Sequence, residues 1–85
     1  MRVLIPSALH SYTRSGQVEA CGATLDEVLF DLDRQYPGLR FRVIDEQRRV
    51  RRHIRLFVNG VSASALSQAM QPTDEVIIVQ ALSGG

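Results

Sequence analysis

The chain contains no lysine; all ten of its basic residues are arginine. No side-chain amine is present on which an isopeptide chain could grow, and the α-amino group is the only primary amine. A single cysteine, Cys21, excludes an internal disulfide and any multi-cysteine metal or iron–sulfur site. No apolar run approaches the roughly 20 residues that a membrane-spanning helix needs. Residues 1–6 are too short for a signal peptide and offer no small-residue cleavage site. The expectation is a soluble, cytoplasmic protein with no membrane partner.

What is present suits one small globular domain: 85 residues, 45% of them hydrophobic. The net charge is only +1, but it is unevenly placed. Glu19, Asp26, Glu27, Asp31 and Asp33 make the first half acidic, whereas Arg48, Arg49, Arg51, Arg52 and Arg55 form a basic block. Clustered arginines can neutralise nucleic-acid phosphates. This block lacks interleaved aromatics in sequence, so nucleic acid ranks below two other readings, a solvated strand face and docking to an acidic partner surface.

Residues 2–6 read as a short apolar strand ended by Pro6, whose ring removes a ladder donor. Residues 11–16 are polar and turn-like. Residues 17–21 read as the returning strand, with Val18 and Ala20 on one face and Cys21 as a half-buried, inert residue. Residues 24–36 form the clearest helix. Thr24 is an N-cap with Glu27 at capping-box spacing, and Leu25, Val28, Leu29, Leu32 and Tyr36 make one apolar stripe. Pro37-Gly38 ends it. Residues 39–44 fit either a helical turn or a strand, and residues 45–49 an exposed turn.

Residues 50–58 alternate, placing Val50, Ile54, Leu56 and Val58 on one face and Arg51, His53, Arg55 and Phe57 on the other. Asn59-Gly60 accepts positive φ at both positions and signals a tight hairpin. A short return follows, with Leu66 and Met70 as core plugs. Residues 75–79 are apolar on both faces, as in a central strand. One helix must then cover one face of one sheet. The fold class is α+β, a β-grasp (ubiquitin-like) domain over residues 1–85 with a mixed four- to five-stranded sheet and one main helix.

The last strand feeds into Gln80-Ala81-Leu82-Ser83-Gly84-Gly85. Residues 81–85 read as a flexible tail. Glycine has no Cβ, so a Gly-Gly end can lie extended in a channel too narrow for other residues, and the Gly85 carboxylate is unhindered. Two glycines at a chosen end arise by chance about 0.5% of the time, which favours a functional tail over a frayed end.

In this order and spacing, several segments resemble the ThiS/MoaD family of ubiquitin-like sulfur carriers. They are the opening strand ending in Pro6, Thr24-Leu25, Tyr36-Pro37-Gly38-Leu39, Phe57-Val58-Asn59-Gly60, Asp74-Glu75-Val76 and the closing Ala81-Leu82-Ser83-Gly84-Gly85. The resemblance implies that an E1-like enzyme uses ATP to adenylate the Gly85 carboxylate. A sulfur donor then converts the adenylate to a thiocarboxylate, which donates sulfur to a cofactor, cysteine or another metabolite through an acceptor synthase. The chain itself would be no enzyme and would hold no cofactor or metal.

If Val76 and Ile78 face the helix, then Ile77, Val79, Phe57 and Leu4 face outward and form a partner-docking patch beside the tail. His10 and His53 have no carboxylate or cysteine at motif spacing, and Asp45-Glu46 sits in a turn unsuited to acid–base chemistry. Two other functions fit the same residues. One is a ubiquitin-like modifier joined through Gly85 to lysines of other proteins. The other is a non-covalent regulatory or nucleic-acid-binding domain built on the arginine block.

Overall fold

The last strand lies at the centre of the sheet. In the computed structural model, which describes residues 1–81, five strands take the order β2-β1-β5-β3-β4. They are β1 (Arg2–Leu4), β2 (Gln17–Glu19), β3 (Ile54–Val58), β4 (Val61–Ala63) and β5 (Glu75–Gln80). β5 pairs parallel with β1 and antiparallel with β3. Flanked on both edges and covered on one face, it buries Val76 and Ile78 and leaves Ile77 half-buried. The doubly apolar run of β5 has this central position as its cause.

The main helix is α2 (Leu25–Gln35), with two shorter ones, α1 (His10–Thr13) and α3 (Leu39–Val43). Leu25, Val28, Leu29 and Leu32 of α2 are buried together with Val3, Leu56, Val76 and Ile78 of the sheet. The predicted stripe is therefore the core. Thr24 Oγ1 accepts from the Glu27 N–H at 3.2 Å, while the Glu27 carboxylate accepts from Ala23 N–H, one residue before the cap. The first two amides of the helix, of Leu25 and Asp26, donate to the carbonyls of Gln68 and Leu66. The long return loop thus satisfies helix-terminal donors that have no partner within the helix.

Three expectations are corrected and one open choice is resolved. Residues 11–16 are not all turn: a 3-10 turn over Ser7–Leu9 leads into α1, and only Arg14, at φ 57°, breaks the helix. Leu9 is fully buried there and anchors this segment. The predicted strand over residues 50–58 begins only at Ile54. Arg51 N–H donates to Val43 and Ile54 N–H to Arg51, which closes a turn; Val50 makes a single bridge to Ile44. The expected strand over residues 17–21 ends at Glu19, so Cys21 lies beyond it and is exposed rather than half-buried. The open choice for residues 39–44 resolves as helix, with Leu39 and Val43 buried.

The Asn59-Gly60 hairpin forms as expected, with φ of 52° and 83°. Asn59 does more than turn the chain. Its carboxamide accepts from Glu75 N–H and donates to the Asp74 carboxylate, tying the β3–β4 hairpin to the start of β5.

Gly22 passes hard against the start of α2. A Cβ there would stand 2.6 Å from the Val28 nitrogen and 2.8 Å from the Glu27 carbonyl carbon, both backbone atoms that cannot swing aside. Gly22→Ala is therefore expected to destabilise the fold by about 1–3 kcal/mol, the usual range for overpacking. A urea midpoint equal to that of the wild type would contradict this reading.

Candidate functional site

The outward sheet face carries one continuous row. Leu4 stands opposite Ile77, and Ile77 opposite Phe57, with Gln17 and Ser62 closing the row on the edge strands. Side chains alternate faces along a strand, so these residues oppose the helix-covered face that buries Val3, Val76 and Leu56. Leu4, Phe57 and Ile77 are half-buried by their neighbours, and Val79, one step nearer the tail, is 38% exposed. The sequence puts all four on this face if Val76 and Ile78 face the helix, which they do, and the structure brings the four together. An ion pair between Arg2 and Glu75 closes the end of the face away from the tail.

The tail leaves the sheet beside His53. Ala81 is exposed, and its N–H donates to the His53 carbonyl at 2.7 Å, one pairing beyond the last strand residue. Leu82, Ser83, Gly84 and Gly85 lie outside the described residues. At the tail root, Phe41, Arg42, Arg51, His53, Ile54 and Gln80 line an open pocket of about 310 Å³. On the outward face, Val79 stands directly opposite Arg55. The Arg55 guanidinium is steadied by the carbonyls of Arg52 and Ile54, both at 2.9 Å.

The arginine block is not a uniform solvated face. Arg48 turns back to Asp26, whose other oxygen receives Arg40, each at 2.9 Å. Arg40 also lies over the Phe30 ring at 4.2 Å, and Arg51 over the Phe41 ring at 4.4 Å. An aromatic absent from the block in sequence, Phe41, is thus supplied to Arg51 by α3 in space. Sequence reading missed these stacks, for which the arginine–aromatic alternation of Arg40-Phe41-Arg42 was a weak signal.

Asp26 joins α2, α3 and the turn after it. Burial pushes its carboxyl pKa up, but hydrogen bonds and charge from Arg40 and Arg48 outweigh that, so it sits below the usual aspartate range. A carboxyl depressed in the folded state contributes stability above its unfolded pKa, about 3.9, and loses it as pH falls through the folded value. Asp26→Asn is expected to cost about 1–2 kcal/mol at neutral pH, as for charged hydrogen bonds in partial solvent. It should also flatten the stability profile below about pH 4. Urea unfolding across pH checks both; an unchanged acid limb would contradict the assignment.

The remaining groups are structural. Asp45 accepts from the Gln47 and Arg49 amides and caps its turn, which lowers its pKa. His10 Nε2 lies 2.9 Å from the Ile5 carbonyl, and His53 is exposed. Among the described residues no three His, Cys, Asp or Glu side chains gather to hold a metal. Nor does any described helix have the length and apolarity to cross a membrane.

The arrangement is an apolar row on the outward sheet face beside the root of the tail. The sulfur carrier protein CysO of Mycobacterium tuberculosis is 33% identical over 90 aligned positions, spanning 98% of this chain and 96% of that protein. The structure of an Amycolatopsis orientalis BexX/CysO complex contains a chain that superposes with a TM-score of 0.89 at 30% identity, covering 99% of this chain and 98% of that one. SAMP1 from Haloferax volcanii superposes with a TM-score of 0.80 at 30% identity, covering 100% and 98%. Residues 3–85 match the ThiS family throughout, and the chain belongs to that family.

Proposed function

We propose that this sulfur carrier bears its sulfur on the Gly85 carboxyl group. An E1-like enzyme binds the outward sheet face and draws the tail into its active site. A Gly85 carboxylate oxygen attacks the α-phosphorus of ATP, releasing pyrophosphate and leaving an acyl-adenylate. A sulfur nucleophile displaces AMP, and the product is a thiocarboxylate. Activation is required because charge and resonance make a free carboxylate a poor electrophile, whereas AMP is a good leaving group. The carrier is a co-substrate in the cytoplasm and not an enzyme. An acceptor synthase takes the sulfur into a cofactor, cysteine or another metabolite.

The observation that carries this reading is the row Leu4, Ile77 and Phe57, with Val79 beside it, on the strand that runs straight into the tail. The Gly-Gly sequence and the family match through residue 85 support it. Carrier-dependent exchange of labelled pyrophosphate into ATP, catalysed by the activating enzyme, tests the first step. Exchange that rises with added carrier is expected; exchange indifferent to it would rule the step out.

A second reading is conjugation of Gly85 to lysines of other proteins. Similarity to SAMP1 favours it, since that protein from the same archaeon is also described as small archaeal modifier protein 1. With no lysine of its own, the chain would give single attachments only. Lysates separated under denaturing, reducing conditions decide: discrete adducts support conjugation, and free protein alone counts against it.

A further inference from the structure

Four arginines are neutralised within the fold: Arg2 by Glu75, Arg34 by Asp31, and Arg40 and Arg48 by Asp26. Among the described residues, Arg14, Arg42, Arg49, Arg51, Arg52 and Arg55 form no ion pair, and all but the half-buried Arg51 are exposed. Four of these six gather at one place. Arg42 and Arg51 line the tail-root pocket with His53 and Gln80, Arg55 faces Val79 near the end of the last strand, and Arg52 is linked to Arg55 through its carbonyl. With Arg51 stacked on Phe41, Arg42, Arg52 and Arg55 are the exposed unpaired cations around the point where the tail departs.

The tail is short. Four residues after Ala81 reach about 14 Å at full extension. Any active site that takes the Gly85 carboxylate must bring its rim over this same surface. We propose that Arg42, Arg52 and Arg55 form a docking collar for an acidic protein surface at the mouth of the activating enzyme's tail channel. This rests on the reading of Gly85 as the reacting group. Three features favour a protein over a nucleic acid. The charge borders the apolar row and completes an apolar centre with a charged rim, the anatomy of a protein interface. The Arg55 guanidinium is already held by two carbonyls, so less side-chain freedom is lost on docking. The apolar row itself offers nothing to a phosphate backbone. The collar acts on encounter, since complementary charge at an interface rim mainly accelerates association.

Stopped-flow association with the activating enzyme, at low and high salt, tests the collar. Arg52→Glu and Arg55→Glu are compared with wild type and with Arg34→Glu, which makes the same charge change on α2. At low salt the two collar variants are expected to associate about tenfold more slowly, with the difference shrinking at high salt, and Arg34→Glu to follow the wild type. Circular dichroism confirms that each variant folds. Equal on-rates for all four proteins would overturn the proposal, as would an equal loss in Arg34→Glu, which would mean that net charge alone acts. Unchanged enzyme association with lost binding to a random DNA duplex would overturn it in favour of nucleic acid. Pyrophosphate exchange with wild-type carrier is run alongside. If the exchange fails, the underlying reading of Gly85 fails; if it proceeds while collar variants associate normally, only the collar fails.

Discussion

Gly84→Ala is expected to bind the activating enzyme nearly as well as the wild type and to be adenylated far more slowly. The carboxylate must reach the α-phosphorus of ATP in line for attack, and misplacement by about 1 Å can cost on the order of 100-fold in rate. A Cβ at residue 84 widens the chain and restricts its backbone, which is expected to hinder its entry into the activating enzyme's tail channel. Among the described residues the core ends at Ile78, so the fold should be unaffected. Deleting Gly84 and Gly85 together should abolish adenylation outright. Saturated single-turnover rates, read beside a direct affinity measurement, check both variants. A normal rate for Gly84→Ala would remove the channel from the account.

Phe57→Ala should show the opposite pattern. Phe57 is half-buried on the outward face, in register with Ile77, and both lie among the apolar positions nearest the tail. Binding energy at interfaces concentrates in a few such anchors, and truncating one costs about 1–2 kcal/mol, or 5- to 30-fold in affinity. The loss is expected in the carrier concentration giving half-maximal adenylation, with the saturated rate changing little. Phe57 belongs to no part of the buried core, so thermal stability should move less than affinity does. An unchanged dissociation constant would mean that the docking surface lies elsewhere.

Much of the fold was legible because local rules and tertiary packing agree. Thr24, the stripe from Leu25 to Leu32, and Asn59-Gly60 each specify their element through chemistry close in sequence. The alternation in β3 reports a sheet with one covered face, and the two-residue period of β1 and β5 then sets Leu4, Ile77 and Val79 on the face of Phe57 once Val76 and Ile78 face the helix. What failed depended on distant partners. The α1 segment has no cap or apolar period, and Leu9 inserting into the core holds it in place. The strand over residues 50–58 was cut short because Arg51 hydrogen-bonds to Val43, a contact no pattern of alternation contains. The division of the arginines was equally hidden. Asp26 captures Arg48 from 22 positions away, and that contact separates the structural arginines from those at the tail root.

The central claim is that sulfur travels on the last carboxyl group of the chain. Its most direct test is the intact mass of the carrier after incubation with the activating enzyme, ATP and a sulfur donor, followed by fragmentation to locate any change. The account predicts a single oxygen-to-sulfur replacement confined to Gly85, dependent on ATP and absent when Gly84 and Gly85 are deleted. An unchanged mass in a mixture whose enzyme demonstrably consumes ATP, or sulfur found on Cys21 instead, would contradict it.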